Sequence, residues 1–158
     1  MTDVTAEAIQ AGSRATTDIL TRVLHASAAV TLAISGYIHA QLYLDDYRFI
    51  HVVGVMFLLQ AAASFGLATL LLAASFLPAP ALIQLAAAGA ALGALGGFAA
   101  SRTVGVFGFT ERGFQPAPQA LLSVLAEVAT VLLLMLAAWR LLRRRGGIST
   151  LLRGFTRG

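Results

Sequence analysis

The chain contains no cysteine and no lysine. Without thiols there are no disulfides, no thiolate metal or iron–sulfur sites, no covalently attached c-type haem and no thiol redox chemistry. Charge of either sign is scarce: 11% of the 158 residues are charged, against about a quarter in a soluble domain. In its place, 58% of the residues are hydrophobic and the mean hydropathy is +0.83. A soluble protein of 16.5 kDa has too much surface for its volume to bury that much apolar side chain, so lipid is expected to cover it. The sequence also lacks a nucleophile elbow, a zinc-protease helix, a phosphate-binding glycine loop and a dinucleotide fingerprint, and the reading leans away from an enzyme.

What is present is a series of four uninterrupted apolar runs, at residues 23–43, 49–77, 81–107 and 119–142. Each exceeds the roughly 20 residues that carry a helix across about 30 Å of hydrocarbon. None shows the two-residue alternation of a barrel strand, so helices are the spanning form. Pro78 and Pro80 break the second run from the third, and Pro118 suits the first turn of the fourth. The expected fold is an all-α integral membrane four-helix bundle over residues 21–142, with a polar segment at 1–20 and a basic tail at 143–158. Asp3, Glu7 and Asp18 in the first segment do not suit a secretory signal, so the first apolar helix is expected to stay in the mature protein.

The arginines give an orientation. Arg14 and Arg22 precede or begin the first run, and Arg140, Arg143, Arg144, Arg145, Arg153 and Arg157 end or follow the fourth. Only Arg48, Arg102 and Arg112 fall on the other side, so both termini are expected on the cytoplasmic side. The tail arginines, Arg143 to Arg145 foremost, suit a lipid surface rather than nucleic acid. Ile148, Leu151, Leu152 and Phe155 recur at helical spacing there, consistent with either an interfacial helix or a frayed basic end. Trp139 suits the inner headgroup level, and Tyr43, Tyr47 and Phe49 the outer one.

Gly89, Gly93 and Gly97 stand four apart in the third run. Small residues at that spacing form a groove that another helix backbone can enter closely. Packing inside the bundle is the expected use, with a homo-oligomer or a membrane-protein partner as the alternative.

Ionisable groups within a bilayer cost about 2.5–3.5 kcal/mol each on insertion scales, so each calls for a partner. His39, His51, Arg102 and Glu127 come from four different runs and all fall in the outer half. An Arg102–Glu127 pair with one histidine bonded to it is the expected core of this cluster, serving architecture or binding a small ligand or partner. A single haem b between His39 and His51, a quinone there, or a metal held by these histidines and a carboxylate is the alternative. A proton-coupled transporter using Glu127 is a second alternative. His25, near the inner end of the first run, stands apart. Gln60 lies at a depth similar to Glu127 but faces away from His51. Ser35, Ser64, Ser75 and Ser123 are expected to bond to their own preceding turns. The segment 101–119, with Gly105, Gly108, Gly113, Phe107, Phe109, Phe114 and Glu111, is expected to fold back as a cap over the outer mouth.

The segments Ser-Gly-Tyr-Ile-His-Ala-Gln-Leu-Tyr (35–43) and Val-Gly-Val-Phe-Gly-Phe-Thr-Glu (104–111), together with Glu127, resemble an uncharacterised family of small four-transmembrane-helix membrane proteins common in actinobacteria. The resemblance covers roughly residues 20 to 142 and brings no settled activity. It implies a bacterial plasma membrane and marks His39, Glu111 and Glu127 as the residues to watch.

Overall fold

The computed structural model describes the backbone of residues 2–74 and 81–155, and side chains for 19–73 and 81–143. Four helices follow in order: α1 (Thr2–Asp45), α2 (His51–Ala74), α3 (Ala81–Thr103) and α4 (Gln119–Phe155). One 3-10 turn, Tyr47–Phe49, joins α1 to α2. Each helix contains a stretch long and apolar enough to cross a membrane: Ile19–Asp45, His51–Ala73, Ala81–Thr103 and Gln119–Arg143. The chain is thus an all-α four-helix protein of multi-pass membrane type. The Pro78–Pro80 break, Ser75, and the side chains of Arg144, Arg145 and the tail apolar residues lie outside the described residues. The α4 backbone itself continues without a break through Phe155.

The outer surface is apolar. Leu58, Leu59, Leu70, Leu125, Leu132 and Met135 are all exposed, a surface that would aggregate in water and that lipid accepts. The polar and small residues are turned inward. Along α1, Ala28, Leu32 and Ser35 are buried; along α2, Ala61, Ser64, Ala68 and Leu71; along α4, Glu127, Thr130, Leu134 and Ala137. Their three-and-four spacing is that of helices packed at shallow crossing angles. Because lipid tails are as apolar as leucine, close contact between small residues does much of the holding. Gly36 marks a close approach of α1 to α2: a Cβ there would sit 2.9 Å from the Ser64 Cβ and 3.4 Å from the Ala61 carbonyl oxygen.

α1 is the hub, packing extensively on α2 and α4, whereas α3 touches α2 and α4 sparingly. This departs from the expected use of the α3 glycines. Cβ atoms added at Gly89, Gly93 or Gly97 would meet nothing within 4 Å, so none of the described side chains fills that groove. The reason is helical phase. α3 is anchored through buried Ala87 and Ala91, and glycines four apart drift by about 40° per step around the helix. The glycine stripe therefore turns progressively away from the bundle from Gly97 toward Gly89.

α3 also ends earlier than the 81–107 run suggested. The Gly105 N–H bonds to the Ala100 carbonyl oxygen at 2.8 Å, and Gly105 takes φ +80°, a left-handed position that favours glycine and stops the helix. Val106 and Phe109 then pair in both directions at 2.8 and 2.9 Å, closing a tight turn around Phe107 and Gly108.

Candidate functional site

The sparing contact of α3 leaves a cavity of about 460 Å³ at the end of the bundle that carries the α1–α2 and α3–α4 connections. α2, α3 and α4 form most of its walls, α1 reaches it through His39 and Leu42, and the α3–α4 connection roofs it with Val106, Phe109, Glu111 and Pro116.

The most buried polar residue among those lining it is Glu127, 1% exposed. Ser123 lies one turn earlier on α4 and donates its hydroxyl to Glu127 Oε1 at 2.9 Å; Ser35 donates from α1 to the same oxygen at 3.0 Å. One turn beyond Ser35, His39 Nδ1 lies 2.9 Å from the Ser35 carbonyl oxygen. A carbonyl only accepts, so its partner assigns the proton to Nδ1 and leaves Nε2 as the acceptor of the neutral ring. Nε2 lies 3.9 Å from Glu127 Oε1. On the α2 side, Gln60 Nε2 donates to the Ala90 carbonyl oxygen of α3 at 3.2 Å and to Ser64 Oγ at 3.4 Å. A further hydroxyl pair, Thr31 with Thr130 at 2.7 Å, continues the α1–α4 seam away from the cavity.

The roof is tied down by a second constellation. Arg102 NH2 lies 2.8 Å from Glu111 Oε2, and the Tyr47 hydroxyl donates to Glu111 Oε1. Arg102 also donates through Nε to the Gly113 carbonyl oxygen at 3.0 Å, through NH1 to Ser101 Oγ at 2.6 Å, and through NH2 to the Gln115 carbonyl oxygen. Its guanidinium carbon stacks 3.9 Å from the Phe98 ring centroid. Burial, followed by the hydrogen bond and charge of Glu111, pushes the Tyr47 phenol above its ordinary range, so its O–H remains a donor. Tyr47 stacks on Phe57 at 4.3 Å and meets Phe109 edge-on at 5.7 Å.

His39, Arg102, Glu111 and Glu127 therefore line one cavity, and His51 does not. His51 is the first residue of α2 and is exposed, so the haem or metal reading that paired it with His39 loses its second ligand. Among the described residues, no group of three or more His, Asp or Glu could hold a metal ion. The expected Arg102–Glu127 pair is also corrected. Arg102 occupies the last turn of α3 and meets the carboxylate of the connection that folds back over it. Glu127, two turns into α4, is served by serines instead. Tyr47 is likewise not an interfacial anchor: it is 6% exposed.

The serines were expected to bond to their own turns, and Ser35 and Ser123 bond to Glu127. Their spacing held the signal, since Ser35 stands four before His39 and Ser123 four before Glu127, on shared helix faces. Compared with known families, curated proteins and solved structures, the chain matches none of them.

Proposed function

We propose that this is a non-enzymatic membrane protein whose bundle holds a small ligand taken from the bilayer. The observation that carries this reading is the cavity of about 460 Å³, within the roughly 300–1,000 Å³ range of small-molecule sites. Its walls are mainly apolar, with a few convergent polar groups, Glu127, His39 and Gln60, at one end. The unfilled glycine face of α3 supports it, because a helix otherwise suited to close packing is held off its neighbours here. The arginine distribution supports cytoplasmic tails, and the resemblance of residues 35–43 and 104–111 a bacterial plasma membrane; that orientation would put the cavity in the outer half and make the 104–118 segment an outward lid. The outward part of the glycine stripe, at Gly89, would remain free for a second copy or a membrane partner.

A ligand that binds only the folded protein raises its stability by mass action. Adding the neutral-lipid fraction of bacterial membranes to the purified protein should therefore raise the unfolding midpoint of the wild type. Gly93→Phe, which places a ring in the cavity, should lose that response. Equal responses in both proteins would contradict the reading. A Soret band that disappears in His39→Ala would replace it with the haem alternative.

A further inference from the structure

The polar end of the cavity has a one-sided hydrogen-bonding capacity. His39 spends its Nδ1 proton on the Ser35 carbonyl, and Gln60 spends its amide on the Ala90 carbonyl and Ser64. Both donors are held by backbone oxygens, which fixes the tautomer of one ring and the orientation of one amide. What remains is His39 Nε2 and Gln60 Oε1, both acceptors. Beside them, Glu127 Oε1 is taken by the Ser35 and Ser123 hydroxyls. The cavity therefore asks for a ligand that donates.

Three further observations narrow the class. Arg102 is the cation lining the cavity; its charge is paired with Glu111, and further N–H groups are held by Ser101 and the Gly113 and Gln115 carbonyls. A phosphate head would find no free positive charge. Second, the wall beside His39 is aromatic. Phe57 lies 5.2 Å from the His39 ring and stacks on Tyr47, with Phe109 edge-on behind, surfaces that suit a flat ring. Third, Leu59 and Gly93 line the cavity and are also exposed on the bundle surface. Leu59 is eight residues into α2 and so about 12 Å from its start, which opens the cavity onto hydrocarbon rather than headgroups. A head entering there must be neutral.

We infer that the ligand is a neutral membrane lipid with a hydroxyl-bearing ring head, of the quinol class. The head would donate to His39 Nε2 and Gln60 Oε1, and its apolar tail would leave between α2 and α3 past Gly93. This rests on the cavity being a ligand site, and it adds the chemistry of the occupant.

The test uses the full chain in lipid nanodiscs under anaerobic conditions, with a short-chain benzoquinol and its quinone as probes. The two differ in donors and hardly in shape. Two extra hydrogen bonds support a preference of about tenfold to a hundredfold for the quinol. His39→Phe and, independently, Gln60→Leu should each cut quinol affinity by about tenfold and leave quinone affinity nearly unchanged. Phosphatidylglycerol in the disc should not compete with the quinol. Equal binding of quinol and quinone, a preference unchanged in both variants, or competition by phosphatidylglycerol would overturn the inference. If neither probe binds while the neutral-lipid fraction still stabilises the wild type and not Gly93→Phe, the quinol assignment fails and the cavity reading stands.

Discussion

Gly36 on α1 and Gly93 on α3 both lie in apolar helices among small residues, yet they occupy opposite kinds of space. Around Gly36 the bundle is closed: one added carbon would lie 2.9 Å from Ser64, between helices that bury Ser35, Ala61 and Ser64. Around Gly93 an added carbon would meet nothing within 4 Å, and the residue opens onto the cavity. The α1–α2–α4 side spends its small residues on contact, whereas α3 leaves them unfilled. The difference teaches that glycine in a membrane helix marks close approach only where a partner's phase agrees with its own.

The largest expected effect breaks that contrast directly. Gly36→Ala should destabilise the fold by about 1–3 kcal/mol through overpacking, while Gly93→Ala should be neutral or stabilise by up to about 1 kcal/mol through helix propensity. Reversible unfolding in one fixed bilayer mimetic measures both. A similar loss at the two positions would erase the distinction.

A smaller effect sharpens the roof. Tyr47→Phe should cost about 1 kcal/mol by removing the Glu111 hydrogen bond. The pH dependence follows from the raised phenol. The folded state holds the Tyr47 proton above the ordinary value of 10.0, so this contribution is fully present below pH 10 and is lost as pH rises from there toward the folded-state value. The stability difference between wild type and Tyr47→Phe should therefore shrink above pH 10. A difference that grows with pH would contradict the contact.

The smallest effects belong to the buried carboxyl. Ser35→Ala should cost about 0.6 kcal/mol, the average for hydrogen bonds between membrane helices, and Ser123→Ala, whose bond lies within α4, about 0.5 kcal/mol. Because both hydroxyls serve the same Glu127 oxygen, their effects should not add. Strict additivity in the double variant would show that they act separately.

The four helices were legible in the sequence because uninterrupted apolar runs of spanning length leave the backbone little alternative to the helix. The gathering of His39, Arg102 and Glu127 at one end followed from depth alone, whereas Glu111 was marked by the resemblance of its segment. Pairing did not, because depth says nothing of which way a long side chain reaches. Arg102 turned to the connection above it, and Glu127 to serines on its own helix and on α1. His51 shares their depth but sits at the exposed start of α2. Likewise, a repeat of four announced a groove at Gly89, Gly93 and Gly97 without telling what fills it, while the tight contact at Gly36 belonged to no repeat. Both failures share a cause, since helical phase relative to a neighbour is a tertiary property.

The most direct measurement is native mass spectrometry of the full chain released from membranes, with a bulky ring placed at either end of the α3 stripe. Gly97 lines the cavity and Gly89 does not, and at both positions an added Cβ would meet nothing within 4 Å. A one-to-one neutral-lipid adduct should accompany the wild type and Gly89→Phe and be absent from Gly97→Phe, with all three proteins equally folded. An adduct that survives Gly97→Phe unchanged would contradict the claim that the space beside α3 is a binding site.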